Sequence, residues 1–176
     1  MNLKLVFAVL LYCLITSCAF QASTSTGHLS SYEKSLRKWK KLKKRHQNTY
    51  SYSIHDEIYW TGYQSETIIS VHKGVVTRRV FSEFNPVIAT NFKDLRFKTI
   101  YIENKEEINT HSRGNKGQTL DEVYLRCKTY LTVSPTENDI YFSVDSNGII
   151  NTCGYNIKNC MDGCNNEINI QKITFK

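Results

Sequence analysis

"KSLRKWKKLKKRHQNTYSYSIH", residues 34–55, changes its periodicity part-way along, and that change decides the fold class. At 100° per residue, Leu29, Tyr32, Leu36, Trp39, Leu42 and His46 fall within one arc of about 140°, and Lys43 is the one charge inside it. The other lysines and arginines take the opposite side, so residues 29–46 read as an amphipathic helix. From Thr49 the period drops to two. Tyr50, Tyr52 and Ile54 alternate with polar residues over 49–55, which is a strand signal.

Working outward, "ETIISVH" (66–72) and "VVTRRVFS" (75–82) flank Lys73-Gly74 and read as a hairpin. The first half is therefore a helix followed by three strands. A second helix starts at "TLDE" (119–122), where Thr119 caps and Glu122 completes a capping box. Leu120, Tyr124, Cys127 and Leu131 then recur at helical spacing, which predicts a helix over 119–133 with Cys127 on its core face. "DIYFSVD" (139–145) and "GIINTCGY" (148–155) surround a turn at Ser146-Asn147, and "EINIQKITF" (167–175) supplies a last strand. The expected fold class is α+β: two tandem helix-plus-three-strand units forming antiparallel sheet packed by two helices.

The N-terminus reads as a targeting segment. "MNLKLVFAVLLYCLITSCAF" has Lys4, an apolar run from Leu5 to Ile15 and then small residues, the build of a signal peptide over 1–18. The run is shorter than the roughly 20 residues that a membrane span needs. Ile15-Thr16-Ser17-Cys18 looks like a lipobox, which would leave Cys18 as a lipidated N-terminus; ordinary cleavage after Ala19 is the competing reading. Residues 19–30 are expected to be a flexible tether, and 31–176 one domain with an insertion at 83–118, in which "LRFKTIYIE" (95–103) alternates like a strand and "SRGNKGQ" (112–118) reads as an exposed loop.

Export changes how the cysteines are read. Cys127, Cys153, Cys160 and Cys164 are an even number in a disulfide-permissive compartment. Two disulfides are the expectation over a four-thiolate zinc site, because only Cys160 and Cys164 have ligand-like spacing. Three pairings are open. A helix cysteine over a sheet can reach a mid-strand cysteine, which favours Cys127 with Cys153 and leaves Cys160 with Cys164.

The helix with Leu36-x-x-Trp39, "YSYSI", "ISVHKGVV", the "TLDEVY" helix and a strand-turn-strand carrying Asp145 and Gly148 together resemble a family of exported bacterial lipoproteins known as a domain of unknown function. The resemblance covers residues 31–175 and implies no catalytic residue. The family carries Cys-Phe-Cys where this chain has Ile58-Tyr59-Trp60, so any role of that pair is missing here. By analogy of layout the fold looks PepSY-like or inhibitor-like.

Chemistry is sparse. His55-Asp56-Glu57 reads as a solvated turn, His28, His46, His72 and His111 lack metal-ligand spacing, and Asp145–Gly148 lacks the twelfth-position glutamate of a calcium loop. No cofactor motif is recognised. The charge is the distinctive feature. Of 23 lysines and arginines, eight lie in residues 34–46, leaving 15 against 16 acidic residues in the rest of the chain. A single-sign helix face favours an anionic partner, and for an exported protein this is a membrane or envelope surface rather than nucleic acid. Lys38, Lys41, Lys44 and Arg45 are the candidate contact residues, with a protein partner also possible through the sheet or the insertion. The expectation is a monomeric, non-enzymatic envelope lipoprotein; the alternative is a thiol-dependent redox protein using Cys160 and Cys164.

Overall fold

The computed structural model describes residues 27–58, 61–84, 97–161 and 163–176. The signal segment with Cys18, most of the tether, Tyr59, Trp60 and residues 85–96 of the insertion lie outside the described residues. A first helix, α1, occupies 27–45 and ends in a turn at 46–48. The last residues of the expected tether therefore belong to α1. Four strands follow: β1 (Tyr50–Ile58), β2 (Tyr63–His72), β3 (Val75–Phe84) and β4 (Lys98–Asn104). The second helix, α2 (Leu120–Tyr130), leads into β5 (Asn138–Val144), β6 (Ile150–Ile157) and β7 (Asn165–Phe175).

All the strands join one antiparallel sheet in the order β4-β3-β2-β1-β7-β6-β5. The fold is thus α+β, with two α-helices on a seven-stranded antiparallel sheet among the described residues. Its first strand run has four members rather than three, because the insertion contributes β4. The Lys73-Gly74 turn has positive φ at both residues, 49° and 84°, which is the two-residue turn whose twist matches a hairpin. The α2 capping box forms as read, with the Thr119 side chain accepting from the Glu122 backbone N–H. His55, Asp56 and Glu57 stand within β1 rather than in a turn, since β1 continues to Ile58 in register with Tyr63 of β2.

The central pairing is between β1 and β7, and it explains the last strand's sequence. Ile168, Ile170, Ile173 and Phe175 break strict alternation by one residue, and the β1–β7 register shifts between Ser53 and Ile54. That extra residue keeps Ile168, Ile170, Ile173 and Phe175 all in or against the core. Trp39, Leu120, Val123, Cys127, Ile149, Ile150, Ile69 and Cys153 are fully buried in the same cluster.

Tyrosines tack the helices to the sheet, each with an apolar body and a polar handle. The Tyr50 hydroxyl accepts from the Leu120 N–H at 2.8 Å, satisfying an orphan donor of the first turn of α2. Tyr52 donates to the Gln118 carbonyl at 2.6 Å, and Tyr32 of α1 to the Tyr124 carbonyl at 3.1 Å. The Tyr124 hydroxyl sits 2.6 Å from that of Ser35 and accepts from the Ile150 N–H. Burial pushes the Tyr124 phenol up to about 12 and raises Tyr50 and Tyr52 as well. Trp39 stands edge-on to Tyr50 at 4.9 Å and donates its indole N–H to Asp121 at 3.2 Å.

Two disulfides among the described residues complete the frame. Cys127 of α2 bonds Cys153 of β6 with the Cα atoms 5.7 Å apart, and Cys160 bonds Cys164 at 6.1 Å across the β6–β7 connection. The first is wholly buried.

Candidate anionic-surface site on the first helix

The inner face of α1 is fixed by Tyr32, Ser35 and Trp39, all buried, with Leu36 and Leu42 half-buried beside them. This fixes the azimuth of the helix, so its cations are presented rather than free to roll inward. Lys34, Arg37, Lys38, Lys40, Lys41, Lys44 and Arg45 are all exposed. Lys34, Lys38, Lys41 and Arg45 follow one line along the outer face, spanning about 16 Å at 1.5 Å per residue.

The structure separates these cations by what they touch. Lys43, the one cation inside the apolar arc, turns to Asp121 of α2 at 2.8 Å and joins the two helices. Arg37 stands 3.9 Å from Glu33 one turn earlier, an exposed pair of little weight. The end of the Lys38 side chain, its Nζ, Cε and Cδ, lies against Gly148 in the β5–β6 turn, a contact that a flexible lysine can leave by swinging outward. Lys34, Lys40, Lys41, Lys44 and Arg45 have no carboxylate within salt-bridge distance among the described residues. Of the four candidate contact residues, Lys41, Lys44 and Arg45 are thus presented without such a partner, and Lys38 borders the turn. Cys18 lies outside the described residues.

The remaining candidates resolve into structural parts. His46 stacks on Phe175 at 4.6 Å, and the Asp145 carboxylate accepts the Asn147 and Ile149 N–H groups, which is what a hairpin turn asks of it. No group of three His, Cys, Asp or Glu is placed to hold a metal ion among the described residues, and no helix there is long and apolar enough to cross a membrane.

Sequence reasoning missed one cluster. Arg79 of β3 and Glu103 of β4 face each other across the sheet, are almost fully buried, and form a 2.9 Å ion pair. The guanidinium also donates to the carbonyls of His111, Arg113 and Asn115, alternate residues of the loop after β4. Glu103 accepts from the Asn109 and His111 N–H groups, Thr110 Oγ1 and the His111 ring. Burial acts to raise the Glu103 pKa, but the His111 N–H, Arg79 and Asn109 N–H bonds outweigh it and hold the carboxyl at about 2. The stretch read as an exposed loop is therefore pinned from beneath. Gly114 lies at φ 72° with its backbone against the Phe81 ring, a position closed to other residues on both grounds. The sequence signal was slight: Arg79 looked like any polar strand residue.

No protein-family model matches the chain, and no curated protein or solved structure matches it either.

Proposed function

We propose that this chain is an exported envelope protein, lipidated at Cys18 and oriented by the outer face of α1 against an anionic surface. The observation that carries the reading is the exposed line of cations on a helix whose rotation is locked by Tyr32 and Trp39. Exposed charges near an anionic membrane contribute about 1 kcal/mol each. A lipid anchor holds by itself, so the face sets orientation, presenting the sheet and the pinned 108–118 loop away from the surface to a protein partner. The order of helix and meander, then helix and meander, supports the finer view of two related units of PepSY-like or inhibitor-like type. The same layout supports kinship with exported lipoproteins.

The test uses chain starting at residue 22 and vesicles with or without anionic lipid. Binding is expected only with anionic lipid, and it weakens from low to physiological salt. Changing Lys38, Lys41, Lys44 and Arg45 together to Gln should remove up to about 4 kcal/mol, roughly a thousandfold in affinity at low salt. Binding that survives those changes, or none at low salt, refutes the reading.

A further inference from the structure

The two disulfides occupy opposite environments. Cys127 and Cys153 are 0% exposed beneath α2, with the Cys153 sulfur 3.5 Å from the Cys127 carbonyl. Cys160 is exposed and Cys164 half-buried at the far end of the β6–β7 hairpin. Both line an open hollow of about 290 Å³, along with Asn156, Ile157, Met161 and Asn165. Met161 is 101% exposed, and a side chain at Gly163 would meet no atom within 4 Å. The hairpin base does not depend on the sulfur bridge, because the Ile157 N–H donates to the Cys164 carbonyl at 3.1 Å and the ladder continues from Asn156 opposite Asn165.

We infer that Cys160–Cys164 is a thiol–disulfide exchange site, whose substrate class is an exposed thiol or dithiol on another molecule, while Cys127–Cys153 is inert. An incoming thiolate attacks the sulfur of Cys160, the more exposed of the pair, forming a mixed disulfide and expelling the Cys164 thiolate, which takes up a proton. A second thiolate, or the second sulfur of a dithiol, then attacks the incoming sulfur of that mixed disulfide. It expels the Cys160 thiolate, which is protonated in turn. Two thiols are oxidised to one disulfide and the protein's disulfide is reduced to two thiols. Accessibility governs such exchange, and exposed bridges are the labile ones. The sheet is retained through the cycle because its hydrogen bonds close the hairpin on their own. The inference is independent of the anionic-surface reading, since the tip lies on neither helix.

The experiment incubates the full folded chain in mixtures of reduced and oxidised glutathione, or in dithiothreitol, traps thiols with an alkylating label and maps them by peptide mass spectrometry. Cys160 and Cys164 should become labelled together, and should reoxidise when oxidised glutathione is restored, with the far-ultraviolet circular dichroism unchanged. Labelling of Cys127 and Cys153 needs the core to open, so it should be slower by at least about a thousandfold in a protein of ordinary stability. A brief incubation quenched by acid should show the glutathione adduct on Cys160. Equal rates for the two bridges, a tip that resists both reductants, or loss of sheet on its reduction would each overturn the inference.

Discussion

Replacing Glu103 by Ala should be the most damaging single change in the first half of the sheet. The carboxylate is 0% exposed and Arg79 beneath the loop is 1% exposed, so truncation leaves a guanidinium buried without its counter-charge. Breaking a buried pair from one side costs about 3 to 5 kcal/mol. The loop suffers too, because the Asn109 and His111 N–H groups lose their acceptor. Changing both partners, Arg79→Met with Glu103→Leu, removes the stranded charge, and such swaps are often neutral or stabilising. Urea unfolding followed by tryptophan fluorescence should therefore place Glu103→Ala far below the wild type and the double variant close to it. The loop should not recover with the double variant. Its carbonyls at His111, Arg113 and Asn115 no longer have a donor beneath them, so trypsin should cut after Arg113 or Lys116 much faster than in the wild type. The pH dependence has a definite sign. A carboxyl lowered to about 2 from an ordinary 4.5 contributes stability that is fully present above about pH 4.5 and lost as pH falls toward 2. A loss below about 1 kcal/mol in Glu103→Ala, or a double variant equal to the sum of the two single ones, would show that the pair does not act as a unit.

Trp39→Ala empties the fully buried contact between α1, Tyr50 and Tyr124, and should cost about 3 to 5 kcal/mol in thermal or urea unfolding; a loss under about 1 kcal/mol would refute the packing of α1. Converting both Cys127 and Cys153 to Ala opens a loop of 26 residues' separation and should lower stability by about 3 to 4 kcal/mol, with a smaller effect for the tip bridge that spans four. Gly154→Ala should cost about 1 to 3 kcal/mol, because its Cβ would strike the Asn166 carbonyl and the Tyr141 ring that crosses the glycine; a neutral variant would mean that both the β7 backbone at Asn166 and Tyr141 can move aside.

Local pattern carried most of the fold. The switch from period 3.6 to period two around Gln47 marks the end of α1, the capping box marks α2, and Lys73-Gly74 marks a hairpin, because each is set by neighbours in sequence. The pairing of β1 with β7 is not local, and no residue type declares it; its one trace is the displaced alternation in Ile168, Ile170, Ile173 and Phe175. Arg79 and Glu103 escaped for a different reason. They lie 24 positions apart, and a charged residue in an alternating strand is usually solvated, so only the loop folded over them reveals the burial. On α1 the outer cations were legible because one face was already apolar. Lys43 was distinguishable as the lone charge within that face, whereas the lean of Lys38 on Gly148 depends on a turn 110 residues away.

The basic helix sets stability against binding, and that opposition can be measured. Nine pairs of lysine and arginine in residues 34–45 are three or four apart, and each like-charge pair on a helix costs about 0.2 to 0.5 kcal/mol. The repulsion of roughly 2 to 4 kcal/mol is offset by burial of Tyr32 and Trp39, whose side chains are each worth about 1.5 to 3 kcal/mol. Changing Lys38, Lys41, Lys44 and Arg45 to Gln removes six of the nine pairs. This variant should be more stable than the wild type by about 1 to 3 kcal/mol at low salt, even as it loses affinity for anionic vesicles. Added salt should raise the wild-type midpoint and shrink the difference, since it screens the same repulsion. Charge kept for solubility alone would show the stability gain with no loss of vesicle binding. A variant less stable than the wild type would place these cations in intramolecular contacts, and the outer face would then be part of the fold's own support rather than a surface held out to a partner.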